Sequence, residues 1–123
     1  MKLLFLGDIV GCTGREGVLT HLPHLKSLLQ PDWIVANAEN AAGGFGISEI
    51  IAHQLHEAGI DCLTTGNHIW DQRALIGSID RLPWLLRPLN APGGTPGRGS
   101  FIVQSICGHH LLVVNVMARL LPF

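Results

Sequence analysis

Charged side chains are scarce in this chain of 123 residues, of which 14% are charged and 47% are hydrophobic. A globular protein usually has about 25% charged residues. No stretch is rich in Lys and Arg and the formal net charge is −1, which argues against duplex DNA or RNA as a partner over a large surface. Small phosphorylated substrates stay compatible, because a bound metal can supply positive charge. The length indicates a single domain over residues 1–123.

Long apolar runs are also missing. No run reaches the roughly 20 residues that a membrane-spanning helix needs, so no membrane partner is expected. Asp8 interrupts the first apolar run after Leu6, whereas the core of a signal peptide needs about 7–15 apolar residues. Secretion is therefore the weaker alternative. The three cysteines form no CxxC or zinc-finger spacing, which favours a reduced, cytoplasmic protein.

Several nucleotide-binding and hydrolase motifs are absent. The chain has no GxxxxGK[ST] and no GxGxxG after its first apolar run, which excludes a P-loop and a Rossmann fingerprint. It has no GxSxG, which excludes the nucleophile elbow of the α/β-hydrolases.

What the chain does have is a set of polar residues placed directly after three short apolar runs, each of which predicts a buried strand. The runs are Leu3–Leu6, Trp33–Ala36 and Cys62–Thr65, and the polar residues that follow them are Asp8, Glu39, Asn40, Asn67 and His68. The three groups are about 30 residues apart, which is the length of one strand–helix–strand unit. Parallel strands end at one edge of a sheet, where ligands bind in α/β proteins. Carboxylate, amide and imidazole ligands suit hard or borderline divalent metals.

Each of these residues also has a structural interpretation that the sequence leaves open. Asp8 can cap the turn that follows its strand. Glu39 can be an exposed residue at the mouth of a loop, although no Lys or Arg lies within twenty residues after it or ten before it. His68 can be hydrogen-bonded within its own loop. Three strand ends that carry ligand-type residues together favour a metal site.

The remaining histidines are predicted to be surface or structural residues: His21, His24, His53, His56, His109 and His110. His53 and His56 share one helix face at i, i+3, so a weak metal pair is the alternative there.

The pattern along the chain predicts a layered α/β fold, with early βαβ units followed by a hairpin. The expected elements of the first half are a strand at Lys2–Leu6, a glycine-rich loop at Gly7–Gly14, a helix at Arg15–Leu29 that Pro23 kinks or splits, a strand to Asn37 and a mobile segment at Ala41–Gly46. Those of the second half are a helix at Glu49–Ala58 between caps Ser48 and Gly59, a strand at Asp61–Thr65, a helix at Gln72–Arg81 capped by Asp71, a short strand at Leu85-Leu86 and hairpin strands at Phe101–Ile106 and Leu111–Val116.

Five segments resemble a known family. GDIVG (7–11), NAENAAGGFG (37–46), TTGNHIWD (64–71), RPLNAP (87–92) and GTPGRG (94–99) look like segments of the YmdB-type calcineurin-like metallophosphoesterases. The resemblance covers nearly the whole chain in the right order. It implies an α/β/β/α sandwich of which this chain is the N-terminal half.

The resemblance also implies a two-metal site, with iron or manganese as the ions. By motif position, Asp8 would bind the first metal, Glu39 would bridge both metals, Asn40 would join the first and Asn67 the second. His68 would donate a proton to the leaving group. The implied activity is phosphodiester hydrolysis by a metal-activated hydroxide, on a small substrate such as a 2′,3′-cyclic nucleotide. The oligomeric state is open, and a homo-oligomer is compatible with the sequence.

Two departures from the family pattern matter. Ala38 stands where the family usually has glycine, which we expect to have little effect if its φ is negative. The family's three later histidine ligands have no counterpart, since His109-His110 does not match their Gly-x-His-x-His segment. Together with the apolar ending Met117–Phe123, this suggests a truncated domain.

The isolated chain is therefore expected to bind metal weakly and to be inactive. One alternative is a catalytically inactive metal- or nucleotide-binding module. The other is a flavodoxin-like domain that binds phosphate with the Gly7–Gly14 loop.

Overall fold

A three-stranded parallel sheet and a separate hairpin organise the computed structural model, which describes residues 1–118. The elements are β1 (Leu3–Asp8), α1 (Gly11–Leu29), β2 (Trp33–Asn37), α2 (Glu49–Glu57), β3 (Cys62–Thr64), three 3₁₀ helices (Ile69–Asp71, Arg73–Gly77 and Ile79–Arg81), β4 (Ser100–Gln104) and β5 (His110–Val114). The sheet has the order β1-β2-β3, and β4 pairs antiparallel with β5. The predicted mixed α/β architecture is thus present. The end of the apolar segment used to predict truncation, residues 119–123, lies outside the described residues.

The first helix begins earlier than predicted. Because α1 starts at Gly11, half of the expected Gly7–Gly14 loop is helical. Pro23 does not split the helix, which continues to Leu29. A proline removes one backbone hydrogen bond from a helix, and the turns on either side of Pro23 stay helical while Leu22, 1% exposed, packs into the core.

The second helix and the hairpin match their predictions. Ser48 caps α2 by accepting a hydrogen bond from the Ile51 amide at 3.2 Å. Gly59 follows the helix end with φ of 112°, a value that favours glycine. The β4–β5 turn is closed by Ser105, whose amide donates to the His109 carbonyl at 2.7 Å.

The predicted helix at Gln72–Arg81 is wrong. The segment forms short 3₁₀ helices, with i to i+3 bonds such as Leu75 amide to Gln72 carbonyl at 3.0 Å. Gly77 is a poor helix former, and the Ser78 hydroxyl donates to the Leu75 carbonyl at 3.3 Å. Side chains that compete for backbone carbonyls in this way disfavour a continuous α-helix.

Leu85-Leu86 forms single bridges in place of a strand. Leu85 pairs in parallel with Leu63, and Leu86 pairs in parallel with Arg98. The bridges extend the sheet beyond β3 toward the hairpin. No helix among residues 1–118 is long and apolar enough to cross a membrane.

The core has two layers, one on each face of the sheet. One face packs on the helices through residues that include Leu22, Ile34, Ala36, Ala52, Leu55 and Leu63. The other face packs on the hairpin through Val35, Cys62, Leu86, Phe101, Val103, Leu111 and Val113. Burial, and secondarily the nearby Asp61 carboxylate, raises the pKa of the Cys62 thiol to about 12.

The apolar run of the first strand predicted a buried strand, but one face of β1 is exposed. Leu3 and Phe5 are 50% and 55% exposed. The outer face of the hairpin is also apolar and exposed, at Ile102, Leu112 and Val114. Leu3 and Phe5 are exposed because the strand order places β1 at one end of the sheet, where the face of β1 that carries them extends past the hairpin.

Candidate functional site

The three polar segments follow neighbouring strands of one parallel sheet. Asp8 pairs with Asn37, and Asn37 pairs with Thr64, so the carboxyl ends of β1, β2 and β3 are aligned. The register shifts between Leu6 and Asp8, which makes Gly7 the extra residue of a bulge. The sheet therefore places the predicted site residues at a single edge.

Asp8 and Asn40 are in direct contact. The Asn40 side-chain amide donates to the Asp8 carboxylate at 2.9 Å. The main-chain carbonyl of Asn40 accepts hydrogen bonds from the backbone amides of Gly11 at 3.0 Å and Gly44 at 3.1 Å. These backbone bonds hold Asn40 between the start of α1 and the loop that follows β2.

The Glu39 carboxylate lies on Gly66, at the end of β3. A methyl group added to Gly66 would lie 2.8 Å from Cδ and 3.1 Å from Oε1 of Glu39, and closer still to Oε2. The Ala38 amide donates to the Thr64 carbonyl at 2.9 Å, which ties the Glu39 segment to β3. Ala38 is not among the described residues with positive φ, as expected for an alanine at this position.

His68 is oriented by a carboxylate. Its Nδ1 lies 2.8 Å from Oδ2 of Asp71, so Nδ1–H donates to the carboxylate and Nε2 is left for another partner. The prediction that Asp71 caps a helix is wrong, because Asp71 lies in the first 3₁₀ helix. Its spacing of three residues from His68 is the signal that could have revealed this pair. Asn67 is exposed beside it.

The loop at Ala41–Gly46, predicted to be mobile, is closed by backbone hydrogen bonds. The Ala42 amide donates a hydrogen bond to the Gly46 carbonyl at 2.9 Å, and the Phe45 amide donates one to the Ala42 carbonyl at 3.0 Å. An Arg15 guanidinium nitrogen also donates to the Ala41 carbonyl, which fixes the loop to α1. Neither Arg15 nor Phe45 stood out in the sequence.

The donor atoms at this edge suit a hard divalent cation, but they form only part of a site. Asp8, Glu39, Asn40 and Asn67 offer carboxylate and amide oxygens. Within residues 1–118, neither carboxylate takes part in an ion pair. No group of three or more His, Cys, Asp or Glu in that same range is arranged to hold a metal. The set therefore fits one side of a metal centre.

The other histidines behave as predicted. His56 stacks on Trp84 with ring centroids 4.0 Å apart, and its Nδ1 lies 2.9 Å from the Ile60 carbonyl. His53 packs edge-to-face on the same indole at 5.5 Å. The two rings are thus engaged with Trp84. His21, His24, His109 and His110 are exposed.

Comparison with known proteins places these features in a family. The family model described as YmdB-like protein matches residues 4–122. The chain belongs to the YmdB-like family. Its metallophosphoesterase-like α/β fold, expected from the resemblance, is confirmed by the solved structures described next.

YmdB-like relatives are longer than this chain. A "2′,3′-cyclic-nucleotide 2′-phosphodiesterase" of Bacillus subtilis (strain 168) is 44% identical over 119 residues, which cover 97% of this chain and 45% of the relative. A hypothetical protein from Thermus thermophilus superposes with a TM-score of 0.87 at 39% identity, over 97% of this chain and 46% of that one. A structure described as a novel phosphatase from Mycoplasma pneumoniae gives 0.87 at 32% identity, over 99% and 44%. The chain thus spans less than half the length of these relatives.

Proposed function

We propose that the protein containing this chain is a metal-dependent phosphodiesterase that hydrolyses 2′,3′-cyclic nucleotides. The observation that carries the proposal is the alignment of three strand ends, which puts Asp8, Glu39, Asn40 and the His68 segment at one edge. The activity for which the Bacillus subtilis relative is named supports the substrate class. A small phosphodiester is also the substrate class that the weakly charged surface allows.

Metal ligation is proposed for four residues. Asp8 and Asn40 would hold one ion, Asn67 would hold a second, and Glu39 would contact both. Iron and manganese are the ions that the family resemblance suggests. Two bound ions would supply positive charge to the phosphate oxygens and activate a water for attack.

His68 is proposed as the proton donor to the leaving ribose oxygen. The Asp71 carboxylate holds Nδ1 at 2.8 Å, so Nε2 is the nitrogen that can transfer the proton. Asp71 acts through His68 and is therefore a positioning residue.

A cytoplasmic location is proposed as well. The three cysteines Cys12, Cys62 and Cys107 are all free thiols. Unpaired cysteines are the rule in reducing compartments.

A catalytically inactive binding module is the second candidate for the chain taken alone. It is favoured by the finding that, over the described range 1–118, no three His, Cys, Asp or Glu side chains form a metal-binding group. Oxygen ligands without imidazole hold transition metals weakly. Such a module would bind metal or nucleotide without turnover.

The test compares two proteins, the chain itself and a fusion of the chain with the part of the Bacillus subtilis relative that lies outside the match. Both are assayed for Mn²⁺-dependent hydrolysis of adenosine 2′,3′-cyclic phosphate. We expect turnover by the fusion and little or none by the chain. A fusion that is folded and metal-loaded but hydrolyses no phosphodiester would overturn the enzyme proposal in favour of the binding module.

The His68 assignment is tested in the same fusion. His68→Ala should slow turnover and leave the Mn²⁺ affinity unchanged, whereas His53→Ala, which alters an exposed histidine on α2, should change neither. Full activity in His68→Ala would refute the role of proton donor.

A further inference from the structure

An exposed aromatic ring lies beside the proposed proton donor. Phe45 is 60% exposed, and its ring centroid is 5.9 Å from that of His68, with the two planes at 72°. The edge-to-face contact covers only part of the phenyl ring. Most of the ring therefore faces solvent at the edge where the substrate is proposed to bind.

The backbone holds this ring in a fixed place relative to His68. The Phe45 carbonyl accepts a bond from the Gln72 side-chain amide at 3.1 Å. The next residue, Gly46, has φ of 69°, and a side chain there would lie 2.8 Å from the His68 carbonyl oxygen. The loop thus packs directly against the backbone of the proposed proton donor.

An equally exposed ring elsewhere in the chain lacks this placement. Phe5 is 55% exposed, but it lies in the middle of β1, opposite Val35, and not at the carboxyl end of the strand. Single exposed apolar residues are common on protein surfaces. What distinguishes Phe45 is its contact with His68 and the fixed loop that carries it.

We propose that Phe45 is the stacking platform for the nucleobase of the substrate, and thus a specificity-determining residue. The inference rests on the proposed function. In a 2′,3′-cyclic nucleotide, the phosphate, the leaving oxygen and the base are all attached to one ribose. The base can therefore reach the Phe45 ring, which lies next to His68, the residue proposed to protonate the leaving oxygen. Every base presents a π face, so the platform selects nucleotides over phosphodiesters without a base and does not discriminate among bases.

The expected effect follows from the strength of base–aromatic stacking. Loss of one such contact weakens binding by about 5- to 150-fold. The weakening should appear only for ligands that carry a base.

The experiment measures the Mn²⁺-dependent binding of two probes to the chain by ligand-observed NMR. Adenosine 2′,3′-cyclic phosphate carries a base, and glycerol 1,2-cyclic phosphate does not. The unmodified chain should bind the nucleotide more tightly than the glycerol compound. Phe45→Ala should abolish this difference and leave glycerol cyclic phosphate unaffected, while Phe45→Trp should keep the difference and Phe5→Ala should behave like the unmodified chain.

Any one of three results would overturn the platform. The first is equal affinity of the unmodified chain for both probes, which includes no detectable binding of either. The second is an equal loss of affinity for both probes in Phe45→Ala, and the third is a Phe45→Trp variant that behaves like Phe45→Ala.

Hydrolysis by the fusion separates failure of the platform from failure of the proposed function. If the fusion hydrolyses glycerol cyclic phosphate but base preference is absent, only the platform falls. If it hydrolyses neither probe while base-dependent binding persists, the phosphodiesterase falls and the platform stands.

Discussion

Replacing Gly66 by alanine is the sharpest test of how the site is built. The new methyl group would lie 2.8 Å from Cδ of Glu39, so Cδ must move by at least ~0.6 Å to reach the 3.4 Å at which ordinary contact begins. Metal–ligand distances tolerate only about 0.2 Å. Gly66 is not among the glycines with positive φ, so the backbone accepts alanine. The cost should therefore fall on the Glu39 carboxylate and not on folding.

We expect Gly66→Ala to weaken Mn²⁺ binding and slow phosphodiester hydrolysis by about 10- to 100-fold, the usual cost of a ligand displaced by an ångström or less. Titration calorimetry with Mn²⁺ and initial rates in the fusion measure the two effects. Gly93→Ala is the matched control, because a methyl group there meets nothing within 4 Å and Gly93 is not among the glycines with positive φ. Unchanged affinity and rate in Gly66→Ala, with the control also unchanged, would show that the position of Glu39 on Gly66 does not matter for the site.

Four further outcomes follow from individual contacts. Asp71→Ala should lower kcat by about 10- to 100-fold through loss of a charged hydrogen bond to His68, while Mn²⁺ affinity measured by calorimetry stays constant. Ser48→Ala should lower the free energy of unfolding by about 1 kcal/mol in urea titrations, because α2 loses its cap. Gly17→Ala should raise that free energy by up to about 1 kcal/mol, since it lies within α1 and a methyl group there meets nothing within 4 Å. The pKa of Cys62 is raised from 9.0 to about 12 in the folded state, so ionisation in the unfolded state should reduce stability by about 1.4 kcal/mol per pH unit from pH 9 upward. Urea titrations at pH 8 and 10 should show this decrease, and Cys62→Ala should remove it.

The alignment of the strand ends that carry the candidate site residues was predictable because it depends on topology. Apolar runs about 30 residues apart predict parallel strands, and parallel strands must end at one edge. The pairing of β1 with β2 sets Asp8 opposite Asn37 and so brings Asp8 close to the segment that carries Asn40. Residues that are far apart in sequence can therefore be grouped without coordinates when each one ends a strand.

The parts that failed depend on local backbone preferences and on strand order, which apolar periodicity does not record. The segment at Gln72–Arg81 has apolar residues that suit a helix, yet Gly77 and Ser78 shorten it into 3₁₀ turns. That change frees Asp71 from capping and lets it contact His68. The exposure of β1 was missed for a related reason, because an apolar run does not reveal whether its strand is central or at the edge of the sheet.

The bulge at Gly7 has a consequence for how the protein can vary. In a regular strand, alternate side chains share a face, so Asp8 would join Leu6 on the side that packs under the helices. The extra residue instead sets Asp8 opposite Asn37, which alternates with Ala36 and so lies on the other face. A regular strand that kept Gly7 but lost the bulge would pair Asp8 with Ala38 and turn the carboxylate toward an apolar layer, where an unpaired charge is costly. Position 7 must therefore keep a residue that permits the bulge: a substitution that forces a regular strand there would impair folding and the proposed site together.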